Sequence, residues 1–157
     1  MPEYITQEGI ILLQKKMNNL LTVERPMVVK QIATARELGD LKENAEYHAA
    51  RERQRHIDDE LTRIRGRLSK LQAIDTSKIA KDAIRFGAYV TLKDLDSDEL
   101  IQYRLVGVDE TDFKVDEWTL ISVASPIGKS MIGKKIKQKF TVKAPIGDRQ
   151  FEVMSIA

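Results

Sequence analysis

Arg36-Glu37-Leu38-Gly39-Asp40-Leu41-Lys42-Glu43-Asn44-Ala45-Glu46-Tyr47 separates two long stretches of helical periodicity. If the two helices pack antiparallel, these twelve residues form the tip of a helical hairpin. Asp40 and Glu43 are then two carboxylates carried at the end of a rod. Such a rod suits delivery of those groups into a narrow place.

Upstream of the tip, Thr6 is a suitable N-cap, with Gln7 and Glu8 in the first helical turn. Ile10, Leu13, Met17 and Leu20 follow at steps of three, four and three. The apolar seam then shifts by one residue and resumes at Leu21, Val28, Ile32 and Ala35. Pro26 lies close to the shift, and an interior proline removes a helix hydrogen bond, so a kink or break is expected there. Downstream of the tip, Ile57, Leu61, Ile64, Leu68, Leu71 and Ile74 trace a heptad seam. A helix from Glu43 to Ile74 would extend roughly 45–50 Å at about 1.5 Å per residue. Gly66 costs that helix about 1 kcal/mol relative to alanine. Around the tip the apolar residues are small (Ala33, Ala35, Ala45, Ala49, Ala50), which lets the helices approach closely.

Past the second seam the period changes from helical to alternating. Residues 1–75 are assigned to the antiparallel coiled coil, 76–83 to a linker and 84–157 to a second domain. Ala88, Val90 and Leu92 alternate, Asp96-Ser97-Asp98 turns the chain, and Ile101, Tyr103 and Leu105 alternate again. Leu120–Val123 is a short apolar run. Ser125-Pro126 reads as an N-cap followed by proline at the first helical position, with Gly133 ending the short helix. Residues 136–144 and 150–156 form a hairpin pattern around Gly147-Asp148. Seven of the nine aromatic residues lie in this half, which therefore has its own core.

Composition narrows the function classes. Of 157 residues 42% are hydrophobic and 32% charged, the profile of a globular protein with long helices. There is no cysteine, which excludes disulfides and thiolate metal sites and fits a reducing compartment. No apolar run is long enough for a membrane span, and Met-Pro-Glu-Tyr-Ile is not a secretory signal, so a cytoplasmic location is expected. Net charge is only +2, and each half, divided at Asp75, holds 13 basic and 12 acidic residues. Attraction to nucleic acid must come from local patches, which argues against a dedicated high-affinity DNA binder.

Asp40 and Glu43 admit two compatible readings. Asp-x-x-Glu at a helix start is a variant of the capping box, and both charges suit the positive end of the helix dipole. Alternatively they bind metal. Two carboxylates are too few for a Mg²⁺ site, but they can complete one whose other ligands belong to a partner or to substrate phosphates. The second helix carries Arg51, Arg53, Arg55, Arg63, Arg65, Arg67 and Lys70. These either pair with Glu52, Asp58, Asp59 and Glu60 on a solvated face or contact RNA or an acidic wall, as Arg36 and Lys42 also could. Lys134, Lys135, Lys137 and Lys139 fall on an expected strand, where lysines commonly guard an edge. His48 and His56 have no matching ligand cluster, and Trp118 is expected in the core or facing a partner. There is no nucleophile triad, phosphate-cradling glycine loop or HExxH.

Ala35–Arg51 resembles the signature of the bacterial Gre transcript-cleavage elongation factors, most closely of the GreA type. Phe86-Gly-Ala, Leu95-Asp-Ser-Asp-Glu99, Ile121-Ser-Val and Ser125-Pro-Ile-Gly128 are similar to segments of the same family. The resemblance implies an α+β protein: an N-terminal antiparallel coiled-coil hairpin followed by an FKBP-like globular domain. It implies docking of that domain on RNA polymerase, with Ser125 and Pro126 in the docking surface, and entry of the coiled coil into the secondary channel. There Asp40 and Glu43 would help to hold a Mg²⁺ ion shared with the polymerase active site. The ion is not expected on the isolated protein. The polymerase would then cut the 3′ end of backtracked nascent RNA, so that stalled complexes resume. Arg36, Lys42, Tyr47 and Arg51 would contact polymerase or RNA, any other nucleic-acid contact being weak.

On this reading the chain is a monomeric cofactor and not an enzyme. Residues 114–119 are longer and more aromatic than the family pattern leads one to expect. The basic residues are not gathered into the extensive patch of the GreB type, which favours release of short fragments. Two other classes remain open at this stage. One is a channel-binding inhibitor of the polymerase without cleavage activity. The other is a peptidyl-prolyl isomerase, suggested by the expected fold alone.

Overall fold

A computed structural model describes residues 3–157. They form two compact units, one of Ile11–Leu71 and one that joins the described residues up to Ile10 to Gln72–Ala157.

The helical unit is a hairpin. Helix α1 (Gln7–Asn19) runs into a π-helical turn at Leu20–Glu24 and then into α2 (Arg25–Arg36). The backbone does not break at Pro26. Asn19, Glu24 and Arg25 all keep right-handed helical angles, and the Arg25 amide donates to the Leu20 carbonyl five residues back. A π turn takes up one residue more than an α turn. That extra residue is the one-residue shift in the apolar seam, and it allows Leu13 before the turn, Leu20 at its start and Val28, Ile32 and Ala35 after it all to be buried. Pro26 lies in the first turn of α2, directly after the π turn where the hydrogen-bond register changes.

Helix α3 (Ala45–Leu68) returns along α2, with Ala50, Ile57, Leu61 and Ile64 buried. The isoleucine and leucine side chains each contribute roughly 1.5–3 kcal/mol when fully buried. Its 24 residues span about 36 Å, shorter than the seam implied. The helix ends at Leu68, and Leu71–Ile74 is a strand, β2, paired with β1 (Glu3–Thr6). Leu71 and Ile74 hold the heptad spacing but spend it in a two-stranded sheet. Cross-helix polar bonds fix the hairpin register: Arg25 Nε to Asp58 Oδ1 at 2.8 Å and Lys16 Nζ to Glu60 Oε1 at 3.2 Å.

The other unit is a mixed five-stranded sheet. Its strands are β3 (Tyr89–Asp94), β4 (Leu100–Val106), β5 (Thr119–Ser122), β6 (Lys139–Val142) and β7 (Arg149–Ile156), in the order β5-β4-β3-β7-β6. β4 and β5 pair in parallel and the other neighbours antiparallel. Val90, Leu92, Leu105, Phe140, Val142, Phe151 and Val153 form the core with Ile84 and with Met131 of helix α4 (Pro126–Met131). Of the lysines expected on a strand, only Lys139 lies on one, and it is on the edge strand β6. Lys137 instead has φ of +72° in the turn that precedes it.

The described N-terminal segment is built into this unit. The buried Glu110 carboxylate accepts from the Thr6 amide at 3.1 Å, the Gly107 amide at 2.9 Å and the Thr6 hydroxyl. The Thr6 hydroxyl oxygen accepts in turn from the Gly9 amide at 3.0 Å, so Thr6 is the N-cap of α1. Arg104, equally buried, donates to the Gly87 carbonyl, the Thr76 hydroxyl and the Glu8 carboxylate, and its guanidinium lies 4.5 Å from the centre of the Tyr89 ring. Trp118 packs edge-on against the same Tyr89 ring, with the ring centres 5.0 Å apart.

Candidate functional site

The hairpin tip spans residues 37–44, between the last turn of α2 and the first of α3. Gly39 turns it with φ of +123°, a conformation that side chains on Cβ disfavour. Asp40 begins the next turn: its Oδ1 accepts from the Lys42 amide at 2.9 Å.

The capping box expected from Asp40 and Glu43 does not form. α3 starts two residues after Glu43, and Asn44 is its N-cap, with Oδ1 accepting from the Tyr47 amide at 3.1 Å. The same side chain turns its amide group the other way: Nδ2 donates to the Ala35 carbonyl of α2 at 2.6 Å. That carbonyl also receives the Leu38 amide at 3.1 Å. Asn44 thus joins the end of one helix to the start of the next. A second tether comes from His48, whose Nε2 lies 3.0 Å from the Lys42 carbonyl. A carbonyl can only accept, so Nε2 carries the proton there.

These bonds leave the acidic groups free for other work. Asp40 and Glu43 are both exposed, and no hydrogen bond or ion pair to Glu43 occurs among the described residues. With Leu38, Asn44, Ala45 and Glu46 they line one open concavity of about 410 Å³. Leu38 and Leu41 point their apolar side chains outward, 65% and 40% exposed. Among the described residues no three His, Asp or Glu side chains are placed to hold a metal ion. Hard carboxylate oxygens suit Mg²⁺, and two of them form part of a coordination sphere that needs six ligands.

The other residues singled out from the sequence fall into two places. Arg36 and Tyr47 flank the tip on opposite helices, the guanidinium 5.8 Å from the ring centre, and the Tyr47 ring meets His48 edge-on. Lys42 is exposed on the loop and Arg51 is exposed on α3, where it donates to Gln54. Ser125 and Pro126 belong to the sheet unit and start α4. The Ser125 hydroxyl accepts from the Gly128 amide at 3.1 Å and donates to the Ser122 carbonyl at 2.7 Å. Pro126 is exposed at the first helical position. Asn44 and His48 were not recognised as site residues from sequence. The signal for Asn44 was present, since asparagine caps as well as aspartate, but Asp-x-x-Glu competed with it.

Elsewhere on the hairpin several charges are paired along the surface. Glu52 lies against Arg55 and His56, and Arg55 with its hydrogen bond is the larger cause of a lowered Glu52 pKa. Glu60 sits between Arg63 of its own helix and Lys16 of α1, and the Arg63 hydrogen bond is the main cause that lowers its pKa to about 2.

Comparison with known proteins defines the class. Residues 3–73 match the family model described as transcription elongation factor, N-terminal, of GreA and GreB, and residues 79–157 match the corresponding C-terminal model. The chain belongs to the GreA/GreB family of transcription elongation factors. Relatives that match it over nearly its whole length are named GreA. It is 45% identical over 152 residues to transcription elongation factor GreA of Rhodospirillum rubrum, covering 97% of this chain and 95% of that one. It is 42% identical over 153 residues to GreA of Thermodesulfovibrio yellowstonii, covering 98% and 95%. Among solved structures it aligns with GreA factor homolog 1 of Thermus thermophilus at 22% identity and a TM-score of 0.45, over 100% of this chain and 99% of that one.

Proposed function

We propose that this protein binds RNA polymerase, inserts its helical hairpin into the secondary channel and stimulates cleavage of the 3′ end of backtracked nascent RNA. The observation that carries this reading is the tip itself. Two exposed carboxylates stand on a short loop that is tied to both helices, and neither is consumed in capping. A metal ion shared with the polymerase would supply Lewis-acid polarisation of the phosphate and a more acidic attacking water. Asp40 and Glu43 would provide carboxylate oxygens toward it. Asp40 accepts from the Lys42 amide, and Asn44 and His48 tie the loop backbone to the helices, which reduces the ordering cost on binding. Arg36, Lys42 and Arg51 place positive charge beside the tip, where RNA phosphates would approach. Ser125 and Pro126, at the start of α4, are proposed for polymerase docking. The sharing of the ion makes the chain a cofactor of polymerase chemistry. Relatives above 40% identity that carry the name of an elongation factor do not favour a channel-binding inhibitor.

The test is Asp40→Asn with Glu43→Gln in stalled elongation complexes. Stimulated cleavage is expected to vanish, while polymerase affinity and the thermal midpoint stay near wild type because Asn44, not Asp40, caps α3. A double variant that still stimulates cleavage would sink the proposal.

A further inference from the structure

We infer that Asn44 is a positioning residue for the acidic pair, acting through its bond to α2. This rests on the cleavage function proposed above. The tip loop has few internal constraints. Glu43 has no partner among the described residues, Asp40 bonds only to a backbone amide two residues on, and Gly39 has open space around it. What restrains the loop from outside is a pair of side chains. His48 holds the Lys42 carbonyl, and the Lys42 amide holds Asp40. Asn44, adjacent to Glu43, donates to the Ala35 carbonyl at 2.6 Å and so closes the loop across the ends of both helices.

Capping alone does not require this bond. A serine at the same position also caps an α3 amide, but its side chain is too short to reach across to α2. Asparagine does both because its carbonyl and amide groups point in opposite directions. The cap stabilises α3, and the amide group sets where the loop sits relative to α2. A carboxylate pair that completes a partner's metal site is sensitive to placement, since a shift of about 1 Å in a reacting geometry can cost around a hundredfold in rate.

Asn44→Ser separates the two roles, with Asn44→Ala as the variant that loses both. Each full-length protein is added to stalled elongation complexes, and cleavage rate is followed against factor concentration and against Mg²⁺. Backbone amide exchange at Leu38 and Lys42 is measured on the isolated proteins. For Asn44→Ser the expected result is a rate at saturating factor lowered about ten- to a hundredfold. Half-saturating factor should be unchanged, the Mg²⁺ requirement higher and exchange at both amides faster. Asn44→Ala should match it in cleavage but melt at a lower temperature. Wild-type cleavage by Asn44→Ser, beside an active wild-type control, overturns the inference. So does a loss explained entirely by weaker polymerase binding, or unchanged amide exchange. A wild-type control that stimulates no cleavage instead overturns the function on which the inference rests.

Discussion

Glu110 shows how one buried side chain can organise a unit by accepting hydrogen bonds. Its carboxylate takes two backbone amides and a hydroxyl, all from Thr6 and Gly107, and is 1% exposed. Charge-assisted bonds of this kind contribute more than neutral ones, and truncation strands their donors in the interior. Glu110→Ala is therefore expected to destabilise the sheet unit by about 2–4 kcal/mol, read by urea denaturation followed through Trp118 fluorescence. A change below about 0.5 kcal/mol would show that Thr6 and Gly107 find other acceptors. The neighbouring Gly9 is fixed by the same group: a Cβ there would come within 2.0 Å of Glu110 Oε1. None of this was legible in the sequence, where Glu110 is one acidic residue in a polar turn. The partners lie 104 residues apart, and no local pattern encodes such a pairing. Asn44 was missed for a different reason. Two capping residues stood four apart, and local rules could not rank them.

At the scale of elements the helices were the legible part. Ile57, Leu61 and Ile64 announce their buried face by spacing alone, and they are buried. The seam shift between Leu20 and Leu21 was visible too, but its meaning depended on a choice between a broken helix and a π turn. Burial on both sides of the turn decides for the second, because a π turn keeps the hydrogen-bond ladder while rotating the following residues back to the core. Leu71 and Ile74 misled, because steps of three and four do not distinguish a helix that continues from a strand that begins. The strand wins through its pairing with Glu3–Thr6, which lies outside any local window.

Glu60 contributes to the pH response of the hairpin. Its folded pKa, about 2, lies below the ordinary 4.5, so the folded state favours the ionised form. The stabilisation is fully present above about pH 4.5 and is lost as pH falls toward about 2. Glu60→Gln should lower the thermal midpoint at neutral pH. The gap to wild type should narrow as pH is taken from about 5 to about 2, as followed by circular dichroism. A gap that is constant with pH would assign the effect to packing instead of charge.

For the whole molecule, the sequence divides less simply than its change of period implies. The described residues up to Ile10 group with Gln72–Ala157, so the helical unit is an insertion in the chain of the other. Thr6 and Glu8 supply the sheet unit with donors and an acceptor that no residue after 72 replaces. A fragment of residues 72–157 should thus unfold at a lower temperature than the same unit in the full chain. Nuclear magnetic resonance on the two samples checks this through the core methyls of Leu105 and Val153. Equal midpoints would mean that the N-terminal segment rests on this unit without stabilising it.

That interrupted layout also sets a timetable for synthesis. Ile11–Leu71 is one contiguous run, and it can close its helical pairing while the remainder of the chain is still being made. Thr6 leaves the ribosome ahead of its carboxylate partner, which follows 104 positions later. At about 5–20 residues per second, that is a delay of roughly 5–20 s. During it the first strand is exposed, with both Ile5 and Thr6 lacking the surroundings that bury them in the finished fold. Synthesis of Glu110 is what allows that strand to be buried.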